Sequence, residues 1–179
     1  LIEADALQVE PAQLAGPDYI VVANLPYSAG NAILRRMQEA DPPPRALTIM
    51  VQREVAERMA AAPPEMSLLA VGVQFYGRPR IAFRVGGGAF VPPPKVESAV
   101  VRIDTHVPPL LHAEHAAFFR VVAAGFAQRR KQLANTLSSA LSLDRGAVVA
   151  ALDTAGIAPS ERAERLTIAD WVRVYRALA

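Results

Sequence analysis

Tyr19–Ala23 (Tyr-Ile-Val-Val-Ala) is a short, unbroken apolar run rich in β-branched residues, and it is closed off on both sides. Gly16-Pro17-Asp18 precedes it and Asn24-Leu25-Pro26 follows. A strand covered on one face would alternate, whereas a continuous run bounded by breakers fits a strand buried on both faces, as in a parallel sheet. Parallel strands need long crossovers, and the sequence supplies them. Ala29 to Ala40 reads as a helix stopped by Asp41 and three prolines. Ala46–Val51 reads as a second apolar strand and Arg53–Ala62 as a second helix, ended by Pro63-Pro64. Strands alternating with helices of this length specify α/β units.

Further along, Ser67 is placed to cap a helix running to about Phe75, with Leu68, Val71 and Phe75 on one face. Ile81–Val85 and Val96–Asp104 read as strands flanking a loop that contains Gly86-Gly87-Gly88 and Pro92-Pro93-Pro94. The second of these alternates, which predicts an antiparallel strand near an edge. Residues 105–112 read as a linker. From Ala113 onward only helical patterns occur, over 114–127, 131–142, 145–155, about 159–165 and 168–178. Trp171 and Tyr175, at i and i+4 on the last of these, are expected in a helical core.

Composition narrows the class. With 179 residues, 52% of them hydrophobic, and a net charge of +2, the chain has ample apolar content for a core and is not disordered. Cysteine is absent, which excludes disulfides and thiolate metal sites. The longest charge-free run, Tyr19 to Leu34, carries two Asn, a Pro, a Ser and a Gly, too polar for a membrane span. His106, His112 and His115 flank the linker without acidic or thiol partners at ligand spacing, so no metal is expected. The small net charge hides a segregation. Residues 1–34 hold four acids and no base, while 66–96 and 115–143 together hold eight cations and no acid. Such clustering suits a polyanion such as nucleic acid, or arginines that pair with acids elsewhere in the fold.

Asn24-Leu25-Pro26-Tyr27 lies directly after the first buried strand, where open α/β sheets bind ligands. A carboxamide oxygen and adjacent backbone carbonyls can accept hydrogen bonds from an exocyclic amine, and a tyrosine ring can stack on a planar base. Those are the requirements for methylating the amino group of a nucleobase held in line with a methyl donor. Asn-x-Pro after a strand is equally a plain turn, and on these four residues alone both readings stand.

The wider sequence resembles the ribosomal RNA adenine dimethyltransferases, specifically the small-subunit, kasugamycin-resistance family. Glu3-Ala4-Asp5-Ala6-Leu7 is similar to the family's acidic motif after its third strand. Val21-Val22-Ala23-Asn24-Leu25-Pro26-Tyr27 is similar to its catalytic motif. Gln52-Arg53-Glu54-Val55-Ala56-Glu57-Arg58 matches a family helix. Ala89 to Val101 (Ala-Phe-Val-Pro-Pro-Pro-Lys-Val-Glu-Ser-Ala-Val-Val) matches its target-base loop and following strand. Phe126-Ala127-Gln128-Arg129-Arg130-Lys131, with Leu133, Asn135 and Leu137, matches its basic helix pair. Five such segments in order cover almost the whole chain.

The resemblance implies a partial Rossmann-like methyltransferase sheet followed by a small all-α domain. Residues 1–104 would form the C-terminal half of the cofactor domain, 105–112 the linker, and 113–179 a helical rRNA-binding domain. The implied cofactor is S-adenosylmethionine. Asp5, with Ala6 beside it, would bind its adenine, and Asn24 its methyl end. Asn24 and the carbonyls of Leu25 and Pro26 would hold the target N6, between the rings of Tyr27 and Phe90. Arg78, Arg80, Lys95, Arg129, Arg130 and Lys131 would contact RNA, although cations near a helix end are also favoured by the macrodipole. Glu54 and Glu57, beside Arg53 and Arg58, read as a solvated helix face.

The family's glycine-rich loop and ribose-binding acid have no counterpart, and the chain starts Leu-Ile-Glu-Ala-Asp, without Met, as if inside a domain. The expectation is therefore a truncated, inactive portion of a cytoplasmic enzyme that methylates N6 of adenosines in small-subunit rRNA. Its strand at 19–23 would be an open edge, prone to pair with another copy or to lose order. The alternatives are a large-subunit rRNA adenine methyltransferase of the macrolide-resistance type and a non-catalytic RNA- or ribosome-binding biogenesis module.

Overall fold

The computed structural model describes residues 1–26, 28–92, 96–111, 114–128 and 130–179. The chain packs as two units, each discontinuous in sequence: Leu1–Ala60 with Tyr76–Pro108, and Ala61–Phe75 with Pro109–Ala179. Residues 61–75, grouped by sequence with the first domain, pack with the C-terminal helices.

The first unit opens on a helix that sequence periodicity misses, α1 (Pro11–Ala15). Pro11 stands in its first turn, where a missing N–H costs nothing, and Gly16 ends it at φ 79°. There follow β1 (Ile20–Asn24), α2 (Gly30–Gln38), β2 (Ala46–Gln52), α3 (Arg53–Met59) and, after residues of the other unit, β3 (Gly77–Val85) and β4 (Ser98–Thr105). The sheet order is β1-β2-β4-β3. β1 and β2 are parallel; β4 runs antiparallel to both β2 and β3.

The β2–β4 register explains the core. Leu47, Ile49 and Val51 stand opposite Ile103, Val101 and Ala99, and all six are buried. Ile33 and Leu34 of α2 and Ala56 and Met59 of α3 are buried as well. Each fully buried Leu, Ile or Val contributes about 1.5–3 kcal/mol relative to exposure, so this cluster holds the strands in one register. A shift by one residue would turn every apolar side chain of β4 to the wrong face.

Three expectations change. β4 is antiparallel as its alternation indicates, yet it lies inside the sheet. The end position belongs to β3, which begins four residues earlier than its apolar pattern suggests and carries Pro79, a residue tolerated on end strands. β1 is not buried on both faces: Ile20 is 54% and Val22 74% exposed. Among the described residues it pairs with β2 alone, and the face bearing those two side chains is uncovered. A hydrophobic run reports what a strand can bury, while its coverage depends on what lies beside it.

The second unit is helical: α4 (Leu68–Tyr76), α5 (His115–Phe126), α6 (Leu133–Leu141), α7 (Arg145–Thr154) and α8 (Ile168–Leu178). Ser67 caps α4 through its Oγ, which accepts from the Ala70 N–H at 3.1 Å. Val71 and Phe75 are buried as expected, but Leu68 is 46% exposed. Phe75 stacks on Phe118 with ring centroids 4.7 Å apart, and Phe126 lies 5.6 Å from Trp171. Trp171 and Tyr175 are buried, as their spacing predicts. The helix expected over 159–165 is reduced to a 3₁₀ turn at Ala163–Arg165. The carbonyls of Pro159 and Glu161 instead accept from the N–H groups of Ala134 and Leu133, at 3.2 and 2.7 Å, and so satisfy the start of α6. Among the described residues no helix is long and apolar enough to cross a membrane.

Candidate functional site

The site is built on the carboxyl ends of the two parallel strands. Asn24 is the last residue of β1 and stands opposite Met50 of β2. The next backbone N–H, that of Leu25, still donates to the Met50 carbonyl at 3.3 Å. Leu25 is buried beneath the turn, which anchors it. The Pro26 carbonyl then accepts from the Ala29 N–H at 3.3 Å, and the chain enters α2. Gly30 permits this tight passage, because a Cβ there would lie 3.3 Å from the Cβ of Leu25.

Asn24 and Pro26 are exposed, and the Asn24 carboxamide makes no hydrogen bond among the described residues. Its oxygen is therefore available to an incoming amine. The Pro26 carbonyl keeps a second lone pair beside its long turn bond. The cleft lined by Leu25, Pro26, Gly30, Asn31, Val51, Gln52 and Val55 holds about 30 Å³ of free space. Tyr27, the expected stacking ring, lies outside the described residues.

The other expected site residues are placed as follows. Asp5 is exposed; its Oδ1 accepts from the Leu7 N–H at 2.9 Å and its carbonyl from the Gln8 N–H at 2.9 Å. One carboxylate oxygen thus organises the turn, and the other has no partner among the described residues. Ala6 is half-buried in that turn. Phe90 follows a 3₁₀ turn at Gly87–Ala89, donates its N–H to the Gly87 carbonyl at 3.2 Å, and is half-buried with no ring contact among the described residues. Asp5, Ala6 and Phe90 do not line the Leu25–Pro26 cleft. Lys95 and Arg129 lie outside the described residues.

Of the remaining cations, Arg80 reaches Asp104 at 3.7 Å, so pairing with a distant acid accounts for part of its charge. Arg84 is likewise paired, with Glu57 at 3.3 Å, and Glu57 also meets Arg53 at 3.7 Å, as a solvated helix face should. Arg78, Arg130 and Lys131 are exposed. Arg130 and Lys131 do not sit within a helix end. α5 stops at Phe126, and the two occupy the turn before α6, where the Lys131 N–H donates to the Gln128 carbonyl at 3.0 Å. The dipole of α5 favours cations there and that of α6 opposes them, so the macrodipole gives no net account of the cluster.

Sequence reasoning passed over Arg53 as a scaffold residue. It starts α3, donates its N–H to the Glu97 carbonyl at 2.9 Å and its Nη1 to the Glu97 carboxylate at 2.5 Å. It also passed over Gln52, at the carboxyl end of β2 and in the cleft wall. The position of Gln52 after a parallel strand was a readable signal; the Arg53–Glu97 contact, 44 residues apart, was not. Among the described residues no group of three or more His, Cys, Asp or Glu side chains could hold a metal ion.

The whole chain, residues 1–179, matches the family described as ribosomal RNA adenine dimethylase. The chain belongs to this family. It is 41% identical over 174 residues to the ribosomal RNA small subunit methyltransferase A of Dehalococcoides mccartyi, covering 96% of this chain and 60% of that protein. The chain thus spans about three-fifths of that relative. Its structure is similar to that of the 23S rRNA methyltransferase ErmE, with a TM-score of 0.74 and 27% identity over 99% of this chain and 70% of that one. A dimethyladenosine transferase from Plasmodium falciparum, 19% identical, shares the fold with a TM-score of 0.80, covering 97% of this chain and 70% of that one. The mixed α/β, Rossmann-like architecture expected of a dimethylase family member is therefore the one observed.

Proposed function

We propose that this chain belongs to a cytoplasmic enzyme that transfers methyl groups from S-adenosylmethionine to N6 of adenosines in small-subunit rRNA. The observation that carries the reading is the Asn24 carboxamide, presented at the end of β1 beside the Leu25 and Pro26 carbonyls with no hydrogen-bond partner among the described residues. The higher identity to a small-subunit methyltransferase, 41% against 27% for the 23S enzyme, favours the small subunit as substrate.

When bound, S-adenosylmethionine supplies an electrophilic methyl group on a sulfonium. The residues that would hold one end of that molecule are Asp5, whose second carboxylate oxygen would accept from the adenine amine, and Asn24, which would face the methyl end. At the target base, the Asn24 oxygen accepts one amine hydrogen and the Leu25 or Pro26 carbonyl the other. Holding both hydrogens out of the ring plane lifts the nitrogen lone pair from conjugation and makes it nucleophilic. These acceptors are fixed by a strand end and a tight turn, so they need no rearrangement as positive charge develops on nitrogen. The product ammonium loses its proton to water. Tyr27 and Phe90 would stack on the base, each worth about 1–3 kcal/mol. Lys95, Arg129, Arg130 and Lys131 would hold RNA phosphates.

The test is methylation of small-subunit rRNA by the chain extended to the full length of its relatives. Asn24→Ala should abolish methylation and leave RNA affinity unchanged; surviving activity would exclude the mechanism. The 179-residue chain alone should bind S-adenosylmethionine far more weakly than the extended form. Binding by neither would favour the non-catalytic module. In isolation the chain should also self-associate through β1, because Ile20 and Val22 are exposed beside unpaired backbone.

A further inference from the structure

The sheet face that ends in Asn24 carries a second feature. Arg80 of β3 stands directly opposite Arg102 of β4, and Arg78 directly opposite Asp104. Directly paired residues project from the same face with Cβ atoms about 4.5–5.5 Å apart, and like charges so placed are destabilising. A single carboxylate holds them together. Asp104 Oδ1 accepts from Arg102 Nε at 2.8 Å, and its Oδ2 lies 3.7 Å from Arg80 Nε. Two guanidinium groups share one carboxylate, an excess of one positive charge, and Arg78 adds a third cation on the same face.

Stability does not explain this arrangement. The three paired side chains are 40% to 66% exposed, and ion pairs at that exposure contribute little. Protection of an open edge accounts for charges on β3, the end strand, but not for Arg102 and Asp104 on β4, which is flanked on both sides. What the geometry does provide is a set of guanidinium forks mounted on strands, with one Nε–H of Arg102 occupied and the other donors of that group left over.

We infer that Arg78, Arg80 and Arg102 form a cradle for an RNA phosphate, with Asp104 as the counter-ion that offsets the repulsion between Arg80 and Arg102 until a phosphate takes its place. The inference rests on the reading of the chain as part of an RNA-modifying enzyme. The register also says which phosphate. Asn24, Met50, Val100 and Phe83 form one row across the sheet, and the Arg102 row is the next along. β4 lies two strands from β1, about 10 Å at ordinary strand spacing. The phosphate held there belongs to a nucleotide flanking the target adenosine. Phe83 joins this face because the bulge between Ile81 and Phe83 turns it there, where it is 59% exposed.

The test is fluorescence anisotropy of a labelled RNA hairpin with the 179-residue chain at several KCl concentrations, with circular dichroism to confirm folding. The slope of log K against log [KCl] should fall in magnitude by about 0.9 for each phosphate contact removed. The R78A/R80A double variant should show such a fall, and R102K, which keeps the charge but loses the fork, should weaken binding several-fold. Asp104→Asn removes the counter-ion at constant shape and should tighten binding several-fold. The cradle is refuted, with RNA binding itself intact, if these variants match the wild type while Arg130→Ala/Lys131→Ala weakens binding. Weaker binding by Asp104→Asn would refute the counter-ion role. A wild-type chain with no affinity for the hairpin would overturn both the cradle and the RNA reading beneath it.

Discussion

Replacing Gly125 with Ala and Gly72 with Ala makes the same chemical change in two helices of the second unit, and the structure assigns the two changes opposite signs. Within a helix, Gly→Ala gains about 0.8–1 kcal/mol from propensity. At Gly72 in α4 an added Cβ meets nothing within 4 Å, so that gain should appear almost undiminished. At Gly125 in α5 the Cβ would lie 2.3 Å from Trp171 Cη2, 3.0 Å from its Cζ3 and 3.3 Å from Leu133 Cδ1. Trp171 is fully buried and Leu133 nearly so, so neither can swing into solvent. Overpacking of this kind costs about 1–3 kcal/mol, and an overlap this deep belongs near the upper end. Subtracting the propensity gain leaves a net loss of about 2 kcal/mol. Trp171 is the only tryptophan, so its fluorescence during urea unfolding reports this unit directly. Gly125→Ala should lower the midpoint and Gly72→Ala raise it, with unchanged m-values. A Gly125→Ala variant as stable as the wild type would show that α5 and α8 do not approach closely. A destabilised Gly72→Ala would show that α4 packs differently.

Other consequences follow from single contacts. Asp144 caps α7 by accepting from the Ala147 N–H at 3.0 Å, so Asp144→Ala should cost about 1 kcal/mol in the same unfolding assay. Thr167 and Asp170 form a reciprocal capping box at α8, and Thr167→Ala should cost a similar amount, with Thr167→Asn restoring most of it. Burial, together with the hydrogen bond to Glu39 at 2.9 Å, raises the Tyr76 phenol well above its ordinary pKa of 10.0. The folded state therefore favours the protonated phenol. Its contribution is complete below pH 10 and is lost as pH rises above that value, so urea midpoints should fall in the alkaline range and fall less in Tyr76→Phe. Val22→Lys on the exposed face of β1 should shift sedimentation of the 179-residue chain toward monomer; an unchanged distribution would exclude pairing through that strand.

Much of the local structure is legible from the residues themselves, because its causes are local. The β-branched run at 19–23, the proline stops after α2 and α3, the Ser67 cap and the i,i+4 pair Trp171 and Tyr175 each act through neighbours a few residues away. The same holds for the position of Asn24-Leu25-Pro26, since a strand followed by a tight turn needs no distant partner. The sequence alone thus determines an α/β portion, a helical portion and the motif between strand and helix. Only the tertiary structure decides what depends on residues far apart along the chain. It leaves Ile20 and Val22 uncovered and puts β4 between β2 and β3. It packs residues 61–75 with helices that begin forty residues later. It uses 159–161 to satisfy α6 where local propensity favoured a helix, because an unsatisfied helix start costs more than a turn of helix gains. At the site it leaves the Asn24 carboxamide without a partner among the described residues, and it brings Arg80 against Arg102 through a strand register set by the buried Leu47, Ile49 and Val51. Charge along the sequence identified a basic segment; only the register brought Arg80 of that segment and Arg102 from outside it to one carboxylate, that of Asp104.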